Sequence, residues 1–106
     1  MQDTFERLAG VIESRKGADP GSSYTAKLMH AGVDAINKKV MEEAYETCVA
    51  ARENDKPHLV CELADLFYHA LVLAAFRGVA VAEIAAELDR RAGQSGLAEK
   101  ASRGTA

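Results

Sequence analysis

The fold is decided by residues 58–77, which read HLVCELADLFYHALVLAAFR. With successive residues about 100° apart around a helix axis, the apolar ones cover nearly the whole circumference. Pro57 suits the first turn of a helix, and Gly78 suits the position just after its end. A helix that is apolar on every side must be covered on every side, so this stretch predicts the central helix of an all-α fold.

The preceding segment supplies the first partner of that helix. Residues 34–53 contain neither glycine nor proline, and residues 54–57 read NDKP, a sequence typical of turns. So short a connection favours an antiparallel helical hairpin formed by residues 34–53 and 57–77. The apolar stripe predicted on the first of these helices consists of Ile36, Val40, Ala44, Thr47 and Ala51.

Shorter flanking helices complete a single domain, predicted over residues 1–92. Turn segments that contain glycine delimit three further helices: a first ending near Lys16, a second over residues 24–31 and a fifth beginning near Val81. Residues 93–106 show little periodicity and read as a flexible tail. These elements are too few to surround the central helix within one copy, which predicts a homodimer with a helical-bundle core.

Charge and composition narrow the class of protein. The chain has 106 residues with 13 basic and 16 acidic side chains, a balance that argues against a nucleic-acid binder. The apolar run is interrupted by Glu62, Asp65 and His69, and the first residues contain no apolar leader, so we expect a cytoplasmic protein that does not span a membrane. Cys48 and Cys61 lack partners at metal-site spacing and are expected to be reduced residues of the core.

Two pairs of carboxylates stand on the hairpin helices, Glu43 with Glu46 and Glu62 with Asp65. A spacing of three residues puts both members of a pair on one helix face, one turn apart. No lysine or arginine precedes Arg77 on the second helix to neutralise acids that interrupt an apolar surface. Four oxygen ligands that converge across the hairpin suit Mg²⁺ or Mn²⁺, and a solvated acidic face is the alternative.

Competing metal chemistry has less support. Ferritin-like di-iron bundles need Glu-x-x-His steps, which this sequence lacks. His58 and His69 lie within about 40° of Glu62 on a helical wheel. They either support a metal ligand from behind or serve as ordinary polar residues.

These motifs resemble a known superfamily. The segment EEAYE at residues 42–46, followed by ELAD at residues 62–65, is similar to the EExxE and ExxD signature of the all-α nucleoside-triphosphate pyrophosphohydrolases. Within that superfamily, SYTAKL at residues 23–28, ADLFYHALVL at residues 64–73 and SGLAEKAS at residues 95–102 resemble the phosphoribosyl-ATP pyrophosphatase family of histidine biosynthesis.

The resemblance implies an activity and a ligand set. It implies Mg²⁺-dependent, cytoplasmic hydrolysis of 1-(5-phosphoribosyl)-ATP to 1-(5-phosphoribosyl)-AMP and pyrophosphate, the second step of the pathway. The metal ligands it implies are Glu43, Glu46, Glu62 and Asp65. Glu42 then becomes a candidate to orient a ligand or, like Glu46, to accept a proton from the attacking water. Met41 stands where the family pattern has glycine, and the resemblance implies, as the alternative to a flexible tail, a segment that orders over bound substrate.

Substrate-binding candidates surround the acidic motif. Lys38 and Lys39, one turn before it, are candidate phosphate clamps, and Lys27 and Arg91 are further cationic candidates. The aromatic candidates for stacking on adenine are Tyr24 and Tyr68. Two alternatives to the biosynthetic enzyme stay open: a house-cleaning nucleoside-triphosphate pyrophosphohydrolase of the same superfamily, and a noncatalytic helical module for dimerisation or metal binding.

Overall fold

The computed structural model describes residues 2–92, which form five helices and, within that range, no strand. The helices are α1 (Gln2–Arg15), α2 (Tyr24–Ala31), α3 (Val33–Arg52), α4 (Lys56–Phe76) and α5 (Val81–Arg91). The all-α prediction is confirmed, and both hairpin helices begin and end within one residue of the predicted bounds. The predicted tail, residues 93–106, lies outside the described residues.

Local sequence explains where the helices that form the site begin and end. The Ser23 side chain accepts a hydrogen bond from the Ala26 amide at 2.9 Å, and the Asp55 side chain accepts one from the His58 amide at 3.1 Å. Gly32 separates α2 from α3 with φ 104° and ψ −179°, a backbone conformation essentially restricted to glycine. Ser23 and Asp55 therefore mark where α2 and α4 begin, and Gly32 supplies the backbone conformation that joins α2 to α3.

α3 and α4 form the antiparallel hairpin. His58 Nδ1 lies 3.3 Å from Glu53 Oε1 beside the turn, and the Thr47 hydroxyl lies 3.2 Å from the Glu62 carbonyl oxygen further along. Positions that decrease along α3 thus meet positions that increase along α4. This antiparallel pairing places the acidic motif of α3 opposite the acidic motif of α4.

The core joins the first four helices. Its buried apolar residues are Ile12, Leu28, Ile36, Val72 and Ala75. The buried face of α3 consists of Ile36, Glu43 and Ala50, whereas Ala51 is exposed, so the predicted stripe was wrong at that residue. Ala50 and Ala51 differ by about 100° around the axis, so only Ala50 lies on the buried face of α3.

Much of the apolar surface of α4 is uncovered in one copy of the chain. Val60 is 57% exposed and Phe67 is 46% exposed. By length and composition this helix could cross a membrane, although within this fold it pairs with α3 and carries two of the clustered carboxylates. Cys48 and Cys61 are also exposed, so the prediction that they are core residues was wrong. Because α4 is apolar on nearly every side, its composition does not indicate which side is buried, and the prediction for Cys61 was therefore wrong.

Candidate active site

The hairpin brings three carboxylates together. Glu43 on α3 and Glu62 and Asp65 on α4 each offer an oxygen, and these oxygens all lie within 4.8 Å of one another. Glu43 is buried, Glu62 is half-buried and Asp65 is exposed, so the acidic cluster of these three residues opens from the core to solvent. Hard oxygen ligands at this separation form a donor set suited to Mg²⁺ or Mn²⁺.

One side-chain oxygen of Glu43 supports a cation site at the acidic cluster. The residue is 7% exposed, and its Oε2 is buried without a hydrogen-bond partner among the described residues. Its Oε1 has a partner, since Lys39 Nζ lies 3.6 Å away. A buried carboxylate oxygen without a donor is costly, and a cation held by the acidic cluster would satisfy it.

Glu46 lies outside this group of three, but the charges of two of its members act on the Glu46 carboxyl. Repulsion from Glu62, and then from Glu43, raises the pKa of the exposed Glu46 carboxyl above its usual value. The hairpin therefore concentrates negative charge at this point of the fold. Of the four carboxylates in the predicted ligand set, the structure clusters three and places the fourth within their electrostatic reach.

Neighbouring polar groups hold the cluster in place. The Thr47 hydroxyl is 2.7 Å from the Glu43 carbonyl oxygen and 3.2 Å from that of Glu62, so it links the two helices behind the carboxylates. His58 Nε2 lies 3.2 Å from Glu62 Oε2. Sequence reasoning assigned Thr47 only to an apolar stripe. A hydroxyl on the face that meets another helix was the one signal for its linking role.

A basic groove adjoins the acidic cluster. It has a volume of about 320 Å³, and its polar lining consists of Tyr24, Lys27, Lys38, Lys39 and Glu42. Desolvation opposes charge on Lys39, but Tyr24 and the Glu42 and Glu43 carboxylates outweigh it and raise the pKa of this lysine. Lys39 therefore stays charged at neutral pH, where it connects the groove to the cluster.

The remaining predicted residues lie elsewhere. Tyr68 is half-buried on α4, where its hydroxyl is hydrogen-bonded to that of Thr25. Arg91, near the end of α5, donates from Nε to Glu87 at 2.8 Å. Neither residue lines the basic groove. Of the six predicted substrate-binding residues, the structure thus gathers Tyr24, Lys27, Lys38 and Lys39 and leaves the other two apart.

The two halves of the site have complementary chemistry. A cluster of carboxylates can hold a divalent cation, while three lysines on a neighbouring surface can bind phosphate oxygens. A polyphosphate that spans both would meet positive charge at each end once the cation is bound. This arrangement suits cleavage of a phosphoanhydride.

Comparison with known proteins points to one family. Residues 5–92 match the family model described as Phosphoribosyl-ATP pyrophosphohydrolase. A phosphoribosyl-ATP pyrophosphatase of Methylibium petroleiphilum is 56% identical over 101 residues, which cover 95% of this chain and 84% of the relative. One of Rhodobacter capsulatus is 55% identical over 94% of this chain and 97% of the relative, and one of Chromobacterium violaceum is 50% identical over 95% and 94%.

Proposed function

The chain belongs to the phosphoribosyl-ATP pyrophosphohydrolase family, and from that premise we propose that it hydrolyses 1-(5-phosphoribosyl)-ATP to 1-(5-phosphoribosyl)-AMP and pyrophosphate. The reaction is the second step of histidine biosynthesis. The observation that carries the proposal is the acidic cluster of Glu43, Glu62 and Asp65, set beside a groove lined by lysines. Phosphoanhydride hydrolysis needs both a cation site and an anion site.

The residues present fit a magnesium ion, with Mn²⁺ as a substitute. Glu43, Glu62 and Asp65 would hold it, with Glu46 as a fourth ligand from the adjacent turn. The orphaned Oε2 of Glu43 supports the assignment, because only a cation or a donor absent from the described residues would satisfy it. When bound, the ion supplies neutralisation of phosphate charge and a lower pKa for an adjacent water.

The groove residues orient the substrate for displacement. Lys38 and Lys39 bind phosphate oxygens, while Lys27 supplies a third positive charge on the opposite wall from α2. Water attacks the α-phosphorus in line, and the bond from that phosphorus to the bridging oxygen breaks as pyrophosphate leaves. Holding the polyphosphate at both ends keeps the reacting atoms aligned.

A carboxylate beside the cluster accepts the proton of the attacking water. In the ion-free protein, repulsion from Glu62 and Glu43 raises the pKa of Glu46, which makes its carboxylate a better proton acceptor. Glu42 lines the groove, with its Oε1 3.9 Å from Lys39 Nζ. We assign proton acceptance to Glu46 when it is free of the ion, and to Glu42 when Glu46 is a ligand.

A second copy of the chain covers the apolar surface of α4 in our proposal. Val60 and Phe67 are 57% and 46% exposed, an unusual exposure for the central helix of a bundle. Packing hairpin against hairpin would bury them in a helical-bundle homodimer. Sedimentation should give a dimer for the wild type and a monomer for Val60→Asp, while Val79→Asp in the α4–α5 loop stays dimeric. A wild-type monomer at micromolar concentration would refute this assembly.

The proposed setting is the cytoplasm, without a membrane or nucleic-acid partner. A net charge of −3 disfavours binding to nucleic acid. The carboxylates of α4 lie in the cluster with Glu43, a position that a bilayer would make costly. Both points favour a freely diffusing biosynthetic enzyme.

A pyrophosphate-release assay tests the activity. The protein is incubated with phosphoribosyl-ATP, ATP and each deoxynucleoside triphosphate, with Mg²⁺ and with EDTA. We expect Mg²⁺-dependent release from phosphoribosyl-ATP in clear preference to the others. Preference for a deoxynucleoside triphosphate would favour the house-cleaning alternative. Ion binding without release from any substrate would favour a noncatalytic module.

A further inference from the structure

His69 is a buried histidine with both ring nitrogens engaged. It is 6% exposed and lies one turn beyond Asp65 on α4. Its Nδ1 is 2.8 Å from the Asp65 carbonyl oxygen, and its Nε2 is 2.8 Å from the Tyr24 hydroxyl of α2. The ring therefore links the backbone of a proposed metal ligand to a residue that lines the basic groove.

The chemistry of these partners gives the two hydrogen bonds a direction. A carbonyl oxygen only accepts, so Nδ1 carries a proton and donates it to Asp65. In the neutral ring Nε2 is then the acceptor, and the Tyr24 hydroxyl donates to it. Burial raises the pKa of Tyr24, which keeps that hydroxyl protonated.

The surroundings hold His69 in this orientation. The Tyr24 ring meets it edge to face at 5.7 Å between centroids, and the Tyr68 ring does so at 5.3 Å. Tyr68 is itself fixed by its hydrogen bond with Thr25. The imidazole thus has aromatic neighbours on two sides and a polar partner at each nitrogen, so rotation of the ring would break several contacts together.

The hydrogen bond to His69 determines what the Tyr24 hydroxyl can bind. Tyr24 is 50% exposed and lines the groove together with Lys27 and Lys39. Its hydroxyl proton is committed to His69, so towards the groove the phenol oxygen can only accept a hydrogen bond. An acceptor suits a hydroxyl of the substrate's sugar, whereas ionised phosphate oxygens need the donors of the lysines.

We propose that His69 is a positioning residue that orients Tyr24 as the wall of the substrate groove that accepts a hydrogen bond from a sugar hydroxyl. The inference rests on the proposed function, since it assigns Tyr24 to binding of that substrate. Its consequence is that loss of the Tyr24–His69 hydrogen bond weakens substrate binding more than it slows the chemical step.

Two variants of His69 separate its two hydrogen bonds. In His69→Gln the amide oxygen reaches about as far as Nε2 and still accepts from Tyr24, whereas in His69→Asn the side chain reaches only about as far as Nδ1. We expect His69→Asn and Tyr24→Phe each to raise KM about fivefold, the loss of one hydrogen bond, with kcat within about twofold of wild type. His69→Gln should keep KM near the wild-type value.

Matched controls exclude a purely structural role. Tyr45→Phe changes a tyrosine that is 71% exposed, and it should leave KM unchanged. Ile12→Ala removes a fully buried side chain of α1, and it should lower Tm with little change in KM. The double variant Tyr24→Phe with His69→Asn should raise KM no further than Tyr24→Phe alone, because that change already removes the hydroxyl that His69 orients.

A spectroscopic readout keeps this proposal separate from the proposed function. In protein labelled with ¹⁵N-histidine, the His69 resonances should indicate a proton on Nδ1, and Tyr24→Phe should shift the Nε2 resonance. Equal KM values for His69→Gln and His69→Asn, or a proton on Nε2 rather than Nδ1 in the wild type, would overturn the positioning role even if the enzyme is active. Absence of wild-type turnover with the expected spectrum would instead overturn the proposed function.

Discussion

Replacing Glu43 by glutamine should stabilise the metal-free protein while abolishing its response to Mg²⁺. In the wild type the Glu43 carboxylate is buried, one oxygen has no hydrogen-bond partner, and two further carboxylates lie within 4.8 Å. Its one compensating contact in the described structure is Lys39. Glutamine keeps the shape of the side chain and can donate to Glu62 or Asp65.

The size of the effect follows from the distances. Two unit charges at the 4.8 Å upper limit of these separations repel by about 3.5 kcal/mol at an effective dielectric constant of about 20, so two neighbours at that limit give about 7 kcal/mol. Attraction to Lys39 at 3.6 Å offsets about 4.6 kcal/mol of this on the same scale. The net repulsion is about 2 kcal/mol, and because Lys39 and Asp65 are partly exposed, screening reduces the expected gain to about 1 kcal/mol. For a domain of this size that gain corresponds to about 4–8 °C in Tm.

Thermal unfolding with EDTA and with Mg²⁺ measures the prediction. With EDTA, Glu43→Gln should melt above the wild type, whereas with saturating Mg²⁺ the order should reverse, because binding at about 100 times Kd stabilises the wild type by about 2.7 kcal/mol. Glu13→Gln, which removes one charge from an exposed ion pair on α1, should follow the wild type in both conditions. The reasoning is refuted if Glu43→Gln melts below the wild type in EDTA or if Mg²⁺ raises both Tm values equally.

Other predictions address the fold and the charges of α5. Ile36→Ala removes a fully buried side chain and should lower the free energy of unfolding by about 2–5 kcal/mol in urea titration, with an unchanged m-value. Gly10→Ala, in a helix with open space around the new methyl group, should raise stability by about 0.5–1 kcal/mol, whereas Gly32→Ala should lower it, because φ at this position is 104°. Hydrogen bonds from Arg90 and Arg91 lower the pKa of Glu87 to about 2, so its carboxyl ¹³C resonance should titrate near that value. Because the pKa of Glu87 is lower in the folded protein than its usual value of 4.5, ionised Glu87 stabilises the fold above pH 4.5, and this stabilisation is lost as pH falls towards 2. A titration of Glu87 above pH 4.5 would mean that its ionised form destabilises the fold instead.

The hairpin could be predicted from sequence because its signals are local. The NDKP turn, Gly78 and the uninterrupted run before residue 53 each act within a few residues, and they fix element ends to within one residue. The acidic motifs were predictable for a related reason. Once the helices are antiparallel and joined by a short turn, residues 43 and 62 must face each other.

Other features depend on contacts that sequence spacing does not encode. Cys48 lies opposite the buried face of α3, and nothing in the composition of α4 indicated which side Cys61 would occupy. Tyr24 and His69 are separated by 45 positions, and their hydrogen bond exists only because α2 packs across α4. Tertiary packing, which decides between equally apolar helix faces, was the missing information.

α4 is both the central helix of the hairpin and the carrier of two carboxylates of the acidic cluster. Its apolar length makes it the centre of the hairpin, while Glu62 and Asp65 break that surface where the opposite helix presents Glu43. We expect acids at such a position to destabilise the apo protein, so that the site is kept for function at some cost in stability.

Pyrophosphate release by the Glu62→Gln variant tests directly whether the acidic cluster holds the ion that hydrolysis requires. Phosphoribosyl-ATP and Mg²⁺ are supplied to the wild type, to this variant and to Glu13→Gln, and circular dichroism confirms equal helix content. We predict Mg²⁺-dependent release by the wild type and by Glu13→Gln, and none above background by Glu62→Gln. Wild-type turnover by a folded Glu62→Gln protein would show that hydrolysis does not depend on an ion held by this cluster.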